Sequence, residues 1–166
     1  MDKTHFSAAT LLLMRRAGEA AGEMGSSRIG SEHLLLALLT GPETEGSRTL
    51  RQLGWEAPLL RNILLSYTRR RIDRRPPVRT VSPHARRILS LAGREARSLR
   101  AEFVEPDHVL LGLIRQEPCC ALQILEQYGA DRNVVFSEVY DGLRRRNEAQ
   151  RETGEFRMKL DRKSVM

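Results

Sequence analysis

Two stretches of this chain overlay at one fixed spacing. Ser7–Gly54 lies on Ser82–Gly129 without a gap, an offset of 75 residues. Ser7 falls on Ser82, Ala17-Gly18 on Ala92-Gly93, His33 on His108, Leu35-Leu36 on Leu110-Leu111, and Gly54 on Gly129. Self-similarity at one period marks a duplicated structural unit whose copies bury apolar faces against each other. Any fold for this chain must therefore place two equivalent halves around a common interior. The duplication also turns two short segments, Gly30-Ser31-Glu32-His33 and Glu105-Pro106-Asp107-His108, into a pair of equivalent acidic helix starts.

Each copy reads as four helices. In the first, Ser7 is an N-cap, and Phe6, Thr10, Leu13, Ala17, Ala21 and Met24 recur at helical spacing. Gly25 ends that helix, a second runs from about Ser31 to Leu39, and Gly41-Pro42 breaks it. A third covers roughly Glu45–Leu53, and a fourth runs from Ala57 towards Tyr67. The second copy repeats the order. Ser82-Pro83 opens it, Pro106 starts the next helix, and Pro118–Gln127 forms a short one. The last helix starts near Asp131 and runs through Leu143. No strand alternation or hairpin turn is present. The expected fold is all-α: a tandem pseudo-repeat of two four-helix units, eight helices sharing one core, with no sheet. Its inward positions include Leu13, Leu35, Leu38, Ile88, Leu110 and Leu113. Repeat one spans about 6–68, an arginine- and proline-rich linker 69–80, and repeat two about 81–146. Residues 1–151 form the double-repeat domain, and 152–166 form a flexible tail.

Composition excludes several function classes. Of 28 basic residues only three are lysines, Lys3, Lys159 and Lys163, and none follows a glycine, so a Walker-type ATP loop is absent. No nucleophile, base and orienting group assemble, and no metal-ligand spacing appears. A binding module without cofactor is expected, not an enzyme. Cys119 and Cys120 are adjacent and read as two thiols in a reducing compartment. No run approaches a membrane span and the start lacks signal-peptide character, so a soluble cytoplasmic protein is expected. The net charge of +7 and the arginine linker admit an arginine-rich, nucleic-acid-associated regulator. Missing interleaved aromatics and missing DNA-binding motifs disfavour it. His33 and His108 read as structural histidines that hydrogen-bond loop backbone, and Trp55 as either a core anchor or an exposed contact.

The segment Ile29-Gly30-Ser31-Glu32-His33-Leu34-Leu35-Leu36-Ala37-Leu38 resembles the I-G-T-E-H-I-L-L-G-L signature of the Clp N-terminal domain family. Val104-Glu105-Pro106-Asp107-His108-Val109-Leu110-Leu111-Gly112-Leu113 resembles it more loosely. Phe6-Ser7-Ala8-Ala9-Thr10 and Val81-Ser82-Pro83-His84-Ala85 match the family's F-[ST]-x-x-A helix opening in the same order. The resemblance, over residues 6 to about 146, implies a module that binds protein clients, adaptors or Clp-type AAA+ unfoldase and protease components. Without ATPase rings it implies a stand-alone accessory subunit, adaptor or competing decoy. ClpC-type members bind phosphoarginine through a glutamate at the second helix of each repeat. The resemblance thus makes Gly30, Ser31, Glu32 and Asp107 candidate ligand residues. The chemistry is coherent: free helix N–H groups suit a phosphate and a carboxylate suits a guanidinium. A first-turn acid that merely complements the helix dipole is the plain alternative. In the second copy Glu105 adds a like charge and Pro106 removes a donor, so the first site is expected to be the stronger. Phe6 and Val81 open the surface that the family uses for peptides, and a scavenger of peptides or antibiotics aimed at that surface is a further alternative.

Overall fold

The computed structural model describes residues 5–68, 80–116 and 119–164. The arginine linker, 69–79, lies outside them. Eight helices follow in order among the described residues. They are α1 (Ala8–Glu23), α2 (Ser31–Thr40), α3 (Glu45–Gln52), α4 (Ala57–Thr68), α5 (Pro83–Ser98), α6 (Pro106–Arg115), α7 (Cys120–Gln127) and α8 (Arg132–Ser164). Ser7 and Ser82 cap α1 and α5, each hydroxyl accepting from an amide three residues on, Thr10 or Ala85, at 3.1 Å. Gly54 and Gly129 end α3 and α7 at φ 92° and 91°, a conformation that costs other residues a Cβ clash.

Helices α2 and α6 form the interior. Leu34 through Leu39 and Val109 through Ile114 are buried without a solvent face, the pattern of a helix enclosed on all sides. Both pack against each other and against helices of either repeat. Leu13, Leu35, Leu38, Ile88, Leu110 and Leu113 all lie in this single core, as expected. Trp55 is buried there too, and its ring meets Tyr128 edge-on at 5.9 Å across the two repeats. Buried Glu95 on α5 pairs with Arg115 on α6, whose guanidinium lies 4.3 Å above the Phe136 ring of α8. That pair fixes three helices of repeat two together.

The structure differs from the expectation in two places. A short sheet is present: β1 (Arg28–Ile29) and β2 (Thr80–Val81) pair in parallel, and Phe6 bridges Val104 in parallel. The pairing is crossed. Val81, the equivalent of Phe6, pairs with Ile29, and Phe6 pairs with Val104, the equivalent of Ile29. Ser82 N–H donates to the Ile29 carbonyl at 2.9 Å, and Ser7 N–H to the Val104 carbonyl at 3.1 Å. Two residues are too short to show alternation, so a search for strand periodicity passes over them. The second difference is α8, which continues to Ser164 where a tail from 152 is expected to fray. No proline interrupts it, Glu148–Glu152 are strong helix formers, and Thr153 returns its hydroxyl to the Ala149 carbonyl at 2.9 Å.

Truncating Leu35 or Leu110, both fully buried at equivalent positions, to alanine is expected to cost about 2–5 kcal/mol each. Denaturant unfolding of the two variants checks this, and a near-zero cost for either would contradict a core shared by both repeats.

Candidate functional site

The start of α2 carries the first candidate set. Gly30 is its N-cap, and Gly30 N–H donates to Nδ1 of His33 at 2.9 Å. Glu105 N–H donates to Nδ1 of His108 at 2.8 Å in the same way. Both histidines are structural, as their sequence context implies. Burial pulls His33 below its usual value, against the opposing pull of Glu32, and burial takes His108 down to about 4. Both rings stay neutral at pH 7 with Nδ1 as acceptor. Unfolded histidine protonates below its ordinary 6.5 while folded His108 does not, so its contribution to stability is lost as pH falls from 6.5 towards 4.

Ser31 is buried, and its hydroxyl accepts from Ala121 N–H at 3.1 Å. Ala121 is the second residue of α7, so a residue of repeat one caps a helix of repeat two. The reciprocal contact comes from Asp107, also buried. Its carboxylate accepts from Gly46 N–H at 3.0 Å, at the second residue of α3. Gly46 and Ala121 are repeat equivalents, so the caps are crossed like the strands. They differ by one position because Pro106, opposite Ser31, has no hydroxyl. Desolvation raises the Asp107 carboxyl above its ordinary value, more than the hydrogen bonds from Thr44, Gly46 and Glu45 lower it. A Cβ on Gly46 would stand 2.5 Å from Leu110 and 2.7 Å from the Asp107 carboxylate, so only glycine permits this approach.

Glu32 differs from its partner Asp107. Its side chain keeps 24% of its exposure. The carboxylate folds back over Gly30, where a Cβ would stand 2.5 Å from Oε1. The room that Gly30 makes is thus filled by the Glu32 side chain itself. Oε1 lies 3.6 Å from Nδ1 of His33, a contact between two acceptors rather than an ion pair. Cys120 adjoins it. Partial burial, then the Glu32 carboxylate, push that thiol up to about 12, and burial raises Cys119. Both cysteines stay protonated at neutral pH.

Phe6 and Val81 are half-buried against the core and are held by the crossed strand pairs. An apolar groove, lined by neither of them, lies between α1 and α2. It encloses about 90 Å³, and its lining includes Leu12, Leu13, Ala37, Leu38, Pro42 and Pro106. Leu12 is half exposed in it. Half-buried Arg16 stands at its rim over Gly41 and has no ion-pair partner among the described residues. The sequence carried a signal for it: Leu11-Leu12-Leu13 puts two leucines off the core stripe, where repeat two has Arg86 and Arg87. Among the described residues no group of three or more His, Cys, Asp and Glu is placed to hold a metal, and no helix is long and apolar enough to cross a membrane.

The fold is that of a duplicated all-α domain with a single shared core. The family model of the Clp repeat (R) N-terminal domain matches residues 80–166, and the chain belongs to that family. It is 30% identical over 123 residues to the negative regulator of genetic competence ClpC/MecB of Bacillus subtilis (strain 168), covering 74% of this chain and 15% of that one. It is 26% identical over 149 residues to the chloroplastic chaperone ClpC1 of Arabidopsis thaliana, covering 90% and 16%. The chain thus spans about a sixth of the length of these curated relatives. Among solved structures, the N-terminal domain of the chaperone ClpD from Arabidopsis thaliana aligns with a TM-score of 0.67 at 17% identity, over 84% of this chain and 94% of that one. The N-domain of ClpV from Vibrio cholerae aligns at 0.62 and 19%, over 82% and 85%. A ClpV N-domain in complex with a VipB peptide aligns at 0.57 and 17%, over 83% and 96%.

Asp107→Ala leaves buried amides of α3 without their acceptor and is expected to destabilise by about 1–3 kcal/mol. Ser31→Ala does the same to Ala121 N–H and is expected to cost about 0.5–2 kcal/mol. Denaturant midpoints decide. Wild-type stability in both variants would refute the crossed caps.

Proposed function

We propose that this chain is a non-catalytic protein-binding module of the Clp unfoldase–protease system, docking a segment of a partner protein in the groove between α1 and α2. The groove itself carries the reading. In it, half-exposed Leu12 borders the half-buried guanidinium of Arg16, which has no ion-pair partner among the described residues. Apolar walls take an aliphatic side chain, and Arg16 takes a carboxylate next to it. The ClpV complex supports the reading, since a domain of this fold takes a partner peptide.

A second reading concerns Glu32. As the acid of the pair with solvent access, it is the candidate guanidinium acceptor for an arginine-phosphorylated client. Asp107 serves the fold, and Gly30 and Ser31 shape the place.

Selection of a random peptide display library on the immobilised protein tests both. Enrichment of aliphatic residues beside Asp or Glu is expected. Leu12→Arg is expected to weaken a selected peptide at least tenfold with little change in melting temperature, because Leu12 is half exposed. In the same series, calorimetric titration with free phosphoarginine is expected to show one site, removed by Glu32→Ala. Selection without a consensus, or a Leu12→Arg variant that binds as well as wild type, would overturn the groove reading. Wild-type protein that ignores phosphoarginine would overturn the second.

A further inference from the structure

The two repeats differ where their first two helices cross. In repeat two the crossing point on α6 is Gly112. A Cβ there would stand 2.5 Å from the Ile88 carbonyl oxygen and 2.9 Å from the Ala92 amide nitrogen, so α6 lies directly on the backbone of α5. In repeat one the equivalent of Gly112 is Ala37, and the equivalents of Ile88 and Ala92 are Leu13 and Ala17. Ala37 carries the methyl group for which the second crossing has no space. Helix α1 therefore cannot seat on α2 as α5 seats on α6, and the α5–α6 contact is the more extensive of the two. Both crossings are otherwise alike: Leu13, Ala17, Ala37, Ile88 and Ala92 are all buried.

The space between α1 and α2 is the groove, with Leu13 and Ala37 in its lining. We propose that Ala37 is the positioning residue that opens this groove, its methyl group acting as a spacer between the two helices. The proposal rests on the reading of the groove as the docking surface, but the claim it adds concerns spacing. Close packing supplies the physical reason. Interiors transmit a change of one methyl group into a shift of the packed element, because no void exists to absorb it. Where the helices cross, the two repeats thus differ by one carbon atom at one position. It also explains why the second repeat, with basic Arg86 and Arg87 in place of Leu11 and Leu12, needs no apolar surface there.

Crystal structures of wild type, Ala37→Gly and Ala37→Ser, with titration of the apolar sulfonate 1-anilinonaphthalene-8-sulfonate, test it. The probe offers rings for the groove and an anion for Arg16. In Ala37→Gly the distance from the Leu13 carbonyl oxygen to Cα of residue 37 is expected to shorten towards that between Ile88 and Gly112. Probe affinity is expected to fall at least tenfold. Ala37→Ser, also a weaker helix former than alanine but with a Cβ, is expected to keep both the spacing and the affinity. Gly112→Ala supplies the converse independently of whether Ala37→Gly folds well: α5 and α6 are expected to separate. Unchanged spacing in Ala37→Gly, or in Gly112→Ala, would overturn the proposal. The spacing readout needs no partner, so a groove that opens and closes as described while binding no peptide would refute the docking reading and leave this one standing.

Discussion

Everything in this molecule hangs on an exchange between its halves. The residue before the N-cap of each repeat's first helix pairs with the loop strand of the other repeat, Phe6 with Val104 and Val81 with Ile29. The first turn of each repeat's second helix caps the third helix of the other, Ser31 on α7 and Asp107 on α3. Neither half satisfies its own backbone. A buried amide without an acceptor costs about 1–3 kcal/mol, so four such contacts decide whether the halves are separable. The enclosed helices α2 and α6 enforce the same outcome from the apolar side, because each needs walls from both repeats.

This exchange limits what the acidic pair can do. Equivalent positions in sequence are not equivalent in space. Asp107 caps Gly46, while Ser31 takes over the corresponding duty and leaves Glu32 partly exposed. The cause lies in Pro106, which offers no hydroxyl, so the neighbouring side chain caps instead. The apolar surface is asymmetric for a different reason. Leucines on α1 stand where α5 has arginines, and Ala37 stands where α6 has Gly112. A duplicated framework thus carries a groove in its first repeat, and a partly exposed carboxylate at the start of α2 where α6 has a buried one.

Most of the framework was legible in the sequence. The helix starts at Ser7, Ser82 and Pro106 and the stops at Gly54 and Gly129 are local backbone chemistry, and the structure honours them. The stripe through Leu13 and the solid apolar runs at Leu34–Leu39 and Val109–Ile114 gave the core. The crossed contacts were not legible. Capping of α7 by Ser31 links positions 90 residues apart, and no local pattern encodes it. For the same reason Asp107 read as the weaker of two candidate ligand acids, or as a first-turn acid complementing the helix dipole, and not as a cap of α3. Helix periodicity also stayed silent about α8 beyond Arg151, where the stripe ends but helix formers continue. Trp55 had two readings, and only the position of Tyr128 across the repeat boundary decided for the core.

The central claim is that two repeats form one cooperative unit through crossed contacts. Native-state hydrogen exchange tests it most directly, read at the amides of Ser82, Ser7, Gly46 and Ala121. The account predicts that all four exchange only through global unfolding, with the same opening free energy as denaturant unfolding. Amides of one repeat exchanging at distinctly lower free energy while the other repeat stays protected would contradict it.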